Sequence, residues 1–211
     1  MPVASPTTKR EAFTTALGAA VSLSVDCRDF KMDGADGPRW IGRERAELIS
    51  GLASIRMHLA WEEFLEETFV RYLCGVPPTG GPGPVLLQPA CASLTAGRAL
   101  LLGGKDFLSW QRKMTRRRAR RYFDSGYSFT PALVAAADSI DTLVAVRNAA
   151  AHRSSSATRV FHSRVRARFG YLPADITPGG FLIREDPRAP GRRIVESLEL
   201  DLRAAANTIA P

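Results

Sequence analysis

Between Leu48 and Tyr72 apolar side chains recur at three- and four-residue intervals: Leu48, Leu52, Ile55 and Leu59, then Trp61, Leu65, Thr68 and Tyr72 one residue out of phase. That spacing marks one face of an α-helix. With Phe64, Phe69 and Leu73 widening the face, it predicts a helix from about 39 to 73, the longest in the chain. A helix of this length serves as the spine of a bundle, kinked or lending a face to a dimer. Gly75, Pro77 and Pro78 stop it, because proline forces the preceding backbone out of the helical region.

The same period appears on both sides. Thr7 and Thr8 can cap a helix over 9–23 whose apolar face is Phe13, Leu17, Ala20 and Val21. A loop follows over 26–38, with Asp33-Gly34 and Asp36-Gly37-Pro38 as turn signals. The Pro/Gly-rich stretch 76–89 predicts a flexible surface excursion, and 92–102 a short helix closed by Gly103-Gly104. A further segment, 105–124, carries Phe107, Leu108, Trp110 and Met114 ahead of an arginine run. Thr130 as cap and Pro131 at the first helical position open the next helix, with Leu133, Ala137, Ile140 and Val144 as its ridge.

Val160, Phe161, Val165 and Phe169 give 157–169 an apolar side, opposite Arg159, Arg164, Arg166 and Arg168. Phe181-Leu182-Ile183 and Arg193-Ile194-Val195 flank a turn and suit a small hairpin. Leu198, Leu202 and Ala205 stripe a last helix over 196–209. The expected fold is all-α, a helical bundle with a candidate C-terminal β-hairpin. Its expected parts are an N-terminal helix and loop (1–38), a helical core (39–170), and a hairpin and helix packed on that core (171–211).

Composition changes this picture in one respect. Hydrophobic content of 45% and charged content of 24% are ordinary for a globular chain of 211 residues, but the formal charge is +8. An excess of that size favours a polyanionic partner and says nothing of fold. Lysine occurs only at 9, 31, 105 and 113, so nearly all the charge is arginine, which forks bidentately onto phosphate. A GC-rich coding bias explains the same arginines equally well.

The densest charge is Arg112, Lys113, Arg116, Arg117, Arg118, Arg120 and Arg121. Such a run is either a solvated face or an RNA backbone contact, with Trp110 or Tyr122 to stack on bases. Cys27, Cys74 and Cys91 lack any CxxC spacing and read as reduced thiols, with no metal site or cofactor implied. No apolar run approaches the ~20 residues of a membrane span. Lys9-Arg10 ahead of 16–25 imitates a signal peptide only faintly, so a cytoplasmic place is expected.

Chemistry concentrates in Leu143-Val144-Ala145-Val146-Arg147-Asn148-Ala149-Ala150-Ala151-His152, followed by serines 154, 155 and 156. Arg147 falls beside the apolar ridge, so its charge needs a carboxylate, a phosphate or a second subunit. Five residues along an ideal helix turn by roughly 140°, so Arg147 and His152 share no face unless the helix breaks near His152 or the pair is drawn from two subunits. The bland alternative is an Arg147 bonded to a core acid and a His152 that caps a helix end.

Here the chain resembles the HEPN superfamily, whose signature is an arginine, a polar residue and a histidine four to six residues after the arginine: Arg147-Asn148-Ala149-Ala150-Ala151-His152. The long helix with Trp61-Glu62-Glu63-Phe64 is similar to the family's earlier helix, which often carries a functional polar or acidic residue. The resemblance spans about 40–170. It implies an antiparallel all-α bundle, commonly a homodimer whose two motifs face one cleft. Many members are metal-independent endoribonucleases of toxin–antitoxin, phage-defence or RNA-processing systems.

On that reading His152 is general base or acid, and Arg147 holds the charge developing on phosphorus. Asn148 orients ribose or phosphate, and Glu62 steadies Arg147, with Glu63 and Glu66 as alternatives. Arg153 joins the 112–121 run as an RNA contact. Some family toxins carry, two residues after the histidine, a tyrosine that a partner modifies; here that residue is Ser154. The partners implied are RNA, a second copy and an antitoxin or defence protein. The competing readings are a non-catalytic RNA- or DNA-binding or assembly module, and a helical partner-binding subunit with incidental charge.

Overall fold

A computed structural model describes residues 3–27, 31–32, 39–152 and 154–211; the turn signals expected at 33–38, and Arg153, lie outside them. Helix dominates: α1 Pro6–Asp26, α2 Arg43–Leu73, α3 Leu94–Leu102, α4 Arg112–Tyr122, α5 Phe129–Ala135, α6 Ala137–Ala151, α7 Ser155–Phe169, α8 Pro178–Leu182 and α9 Ile194–Ile209. Two antiparallel two-stranded ribbons complete the fold, β1 Lys31–Met32 with β2 Arg39–Trp40, and β3 Glu185–Asp186 with β4 Ala189–Arg193. The all-α class and the small C-terminal hairpin are as expected. Among the described residues no single helix is long and apolar enough to cross a membrane. All three cysteines are free thiols.

The chain gathers into two compact units, one of Met1–Thr15, Ala60–Ala137 and Leu202–Pro211, the other of Ala16–Leu59 and Asp138–Asp201. The first has an aromatic core. The ring of Phe69 lies 4.7 Å from Phe123 and 5.1 Å from Phe129, and Phe13 stacks on Phe64 at 5.1 Å. Each such pair adds about 0.5–1.5 kcal/mol beyond its burial. The buried Tyr72 hydroxyl donates to the Ile209 carbonyl at 2.7 Å, so this ring brings no unsatisfied polar group into the core. The segment 76–89 is irregular but pinned rather than free: the Leu87 amide donates to the Tyr122 carbonyl and the Asp124 amide to Val85, both at 2.9 Å.

The second unit buries Leu17, Ala20 and Val21 of α1, Ile140, Leu143 and Val146 of α6, Phe161 and Val165 of α7, and Leu198 of α9. The first half of α2 departs from expectation. Leu48, Leu52 and Leu59 are 65%, 53% and 53% exposed, while Ala46, Ser50, Ala53, Ser54 and Met57 face inward. Periodicity tells which residues share a face, not which face is packed. Small side chains admit a close neighbour, and the Ser54 hydroxyl returns to its own helix, donating to the Gly51 carbonyl at 2.6 Å.

Three further expectations shift. The helix expected from Pro131 begins earlier, at Phe129, and ends at Ala135; α6 starts afresh after Ala136. Thr130 caps nothing: its hydroxyl is buried without a hydrogen-bond partner among the described residues. The hairpin forms, but from Glu185–Asp186 and Ala189–Arg193, because Thr177 caps Gly180 and Pro178 opens a helical turn that buries Phe181, Leu182 and Ile183. Arg168 leaves the solvent face of α7 for a buried pair with Asp186.

Candidate functional site

Helix α6 ends at Ala151, and His152 is the first residue beyond it, its amide still donating to the Asn148 carbonyl at 2.9 Å. Ser154 then starts α7, its hydroxyl accepting from the Ala157 amide. The helix break that the serines signalled therefore falls at His152. It frees the imidazole from the helical register and leaves it exposed.

Between α6 and α7 lies a cleft of about 480 Å³. Asn148, His152, Ser154, Ser156 and Arg164 supply its polar walls, with Val144, Ala145 and Val160 as apolar ones. Arg164 reaches Asp138 and Asp141 at 3.3 Å each, so its guanidinium is held at the rim by two carboxylates. Sequence reasoning placed Arg164 on a solvated face. Its four-residue spacing to Arg168 was the available signal that both reach across to partners.

Arg147 is half-buried and is not a wall of that cleft. Its Nη1 donates to the Asn148 Oδ1 at 2.9 Å, while its Nε has no hydrogen-bond partner among the described residues. Asn148 thus links the guanidinium to the cleft that holds His152. A titratable neighbour of Arg147 is His58, which is buried on α2. Burial, and then the Arg147 charge, press the His58 imidazole down to about 4, from an ordinary 6.5. Ser54, Met57 and Trp61, at helical spacing around His58, are buried with it.

That shift makes a stability prediction. Below pH 6.5 the unfolded chain takes up a proton at His58 that the folded chain refuses, so stability falls as pH drops from 6.5 to 4; above 6.5 the group contributes nothing. The full effect is about 3 kcal/mol. Urea unfolding of His58→Gln is therefore expected to lose about 3 kcal/mol less than wild type between pH 7 and pH 4. Identical pH dependence of the two proteins would remove His58 from its neutral, buried state beside Arg147.

The remaining site residues belong to the first unit. Glu62 is half-buried on α2 in the first unit and Glu63 is exposed. Glu66 accepts from the Trp110 indole at 3.0 Å and lies 3.5 Å from Arg98, so it belongs to a different network. The basic run occupies α4, whose Thr115, Ala119 and Tyr122 face is buried. Lys113, Arg117, Arg120 and Arg121 are exposed, and Arg112, Arg116 and Arg118 half-buried. Trp110 and Tyr122 are only 4% and 7% exposed, so neither is open to stack on a base as expected. Their apolar area packs with Phe69 instead. No group of three or more His, Cys, Asp or Glu among the described residues is arranged to hold a metal ion.

A second groove of about 440 Å³ runs along the exposed side of α2, lined by Leu48, Gly51 and Leu52 together with Ala149 and Ala150 of α6 and Pro178. Gly51 stands close to α6 here: a Cβ built at 51 would meet that of Ala150 at 3.7 Å, an ordinary van der Waals contact. The groove therefore reaches the last turn of the helix that carries Arg147 and Asn148. Comparison of the chain with known protein families, with curated proteins and with solved structures finds no match.

Proposed function

We propose that the chain is a metal-independent endoribonuclease, acting by attack of a ribose 2′-hydroxyl on its own 3′-phosphodiester. The observation that carries this reading is the cleft in which exposed His152 and Asn148 stand together, with Asn148 tied to Arg147. An imidazole titrates near neutral pH and can take the 2′-hydroxyl proton. As the 2′-oxygen bonds to phosphorus, negative charge grows on the non-bridging oxygens, where a guanidinium donates bidentate hydrogen bonds. The bond to the 5′-oxygen then breaks and that oxygen takes up a proton. The products are a 2′,3′-cyclic phosphate and a 5′-hydroxyl, and DNA survives.

Arg147 bonds Asn148, acts on His58 by its charge and is not a wall of the His152 cleft, so the working site on this reading is composite. A second copy seated against Leu48, Leu52 and Leu59 would lie along a groove that ends at Ala149 and Ala150. A homodimer through this face completes each site with the partner's motif. An exposed apolar stripe of this kind is a usual mark of association. The Leu48→Glu/Leu52→Glu variant is expected to sediment as a monomer at concentrations where wild type is a dimer, with at least a tenfold weaker association. A wild-type monomer, or a variant that dimerises equally well, would contradict it.

The physiological setting proposed is a toxin–antitoxin or phage-defence system of the cytoplasm, with a partner protein that silences the chain. RNA cleavage in EDTA, by wild type beside His152→Ala, tests the activity. Equal cleavage by both, or cleavage only with added metal, overturns it. That Arg147 is not among the walls of the His152 cleft within one chain is the observation that favours the alternative, a non-catalytic RNA- or DNA-binding or assembly module. That reading predicts salt-sensitive binding without strand scission.

A further inference from the structure

The arginine run of α4 is not a uniform charged face. Arg117, Arg118 and Arg121 turn with Lys105 toward one groove of about 240 Å³, closed otherwise by Leu101, Leu108, Met114 and Tyr122. No carboxylate is among its walls. Arg118 is fixed in place: its Nη1 donates to the Ser109 carbonyl at 2.6 Å and its guanidinium lies 5.1 Å over the Trp110 ring. Arg121 leans on the Tyr122 ring at 5.6 Å. Burial draws the Arg118 guanidinium below its ordinary value, against the smaller opposing pull of Tyr122 and Glu66.

Four cations around an apolar floor ask for a ligand that is anionic at one end and flat and apolar at the other. A nucleic-acid duplex offers phosphates but keeps its bases stacked inside, so it gains nothing from Leu108 and Met114. A single strand offers both, because every unstacked base has a free face. The groove is smaller than the roughly 300–1,000 Å³ of drug-sized sites, which limits it to one nucleotide. We infer that the Lys105–Arg117–Arg118–Arg121 groove binds one unstacked nucleotide of single-stranded RNA, its phosphate on the arginines and its base against Leu108 and Met114. This takes its ligand class from the proposed ribonuclease activity but concerns a separate site, in the first unit, from that of Arg147 and His152.

The test is fluorescence anisotropy with 2′-O-methyl RNA, which cannot be cleaved by 2′-hydroxyl attack, as a 12-mer single strand and as the matching duplex. Wild type is expected to bind the single strand about tenfold tighter. Arg117→Ala/Arg121→Ala weakens both and lowers the salt slope by about 1.4 on the single strand, as two lost phosphate contacts require. Met114→Ser, at a partly exposed position where the fold tolerates change, weakens the single strand about tenfold and leaves the duplex unaltered.

Wild type that ignores RNA at low salt, groove variants that bind normally, equal loss on both ligands in Met114→Ser, or equal binding of a polyglutamate peptide would each overturn the assignment. Cleavage by wild type with unaffected groove variants removes the groove and keeps the nuclease. Groove-dependent binding without cleavage does the reverse.

Discussion

The His152→Ala variant is expected to cleave RNA about 10²–10⁴-fold more slowly than wild type, the usual worth of a positioned general base or acid. Its unfolding free energy should change by no more than about 0.5 kcal/mol, because the side chain is exposed at the end of α6. The pairing of a large kinetic loss with a small stability change separates a catalytic imidazole from a helix-end cap. His152 as a mere cap would give the opposite pattern, a change in stability with cleavage retained. Asn148→Ala is the companion: it cuts the hydrogen bond to Arg147 Nη1 and should lower the rate without abolishing it, since the base remains.

The second large effect concerns what holds the wall of the cleft. Helix α7 supplies Ser156, Val160 and Arg164 to that wall, and it is anchored one turn further on by Arg168. Arg168 is 8% exposed and its partner Asp186 1%. The Arg168 Nε donates to Asp186 at 2.8 Å, its Nη2 makes a second contact, and the Arg188 amide adds a bond at 3.1 Å. Burial alone would raise the Asp186 carboxyl, but these donors hold it low and therefore ionised.

Removing one partner leaves a buried charge unpaired, so Asp186→Ala is expected to lose about 3–5 kcal/mol in urea unfolding. Asp138, on the same network through Arg164, Arg168 and Arg188, is 48% exposed, and Asp138→Ala should cost less than about 1 kcal/mol. Replacing both buried partners, as Arg168→Met/Asp186→Leu, should recover most of the loss, because desolvation offsets much of what the pair contributes. Equal effects at 138 and 186 would show that burial is not what makes the pair matter.

Where the sequence was legible, large side chains made it so. Phe13 and Leu17 on α1, Trp61, Leu65 and Tyr72 on α2, and Leu198 and Leu202 on α9 all went where their period put them, because each is too large and apolar to leave in water. Where small residues decide, the pattern misled. Ala46, Ser50, Ala53 and Ser54 outcompeted Leu48 and Leu52 for the inner face of α2 by allowing close approach, which no hydropathy pattern records. The break after Ala135 lies in a run of alanines that carries no stop signal. By contrast Thr177-Pro178 did announce a helix start; the apolar trio behind it was read as a strand because length alone cannot separate a buried turn of helix from a short strand.

The site divides along the same line. The break at His152 was legible from Ser154, and the half-burial of Arg147 from its place beside the ridge. Spacing along α6 already set Arg147 and His152 on different faces; that His58 and Arg164 stand near them was not legible. That depends on which helix lies across from α6, and spacing within one helix carries no information about it.

The most direct test of a metal-independent transesterification at His152 is end-group analysis of RNA cut by the wild-type protein in EDTA. The account predicts a 2′,3′-cyclic phosphate and a 5′-hydroxyl, formed by wild type and lost in His152→Ala. Products ending in a 3′-hydroxyl and 5′-phosphate, or intact RNA, would contradict it.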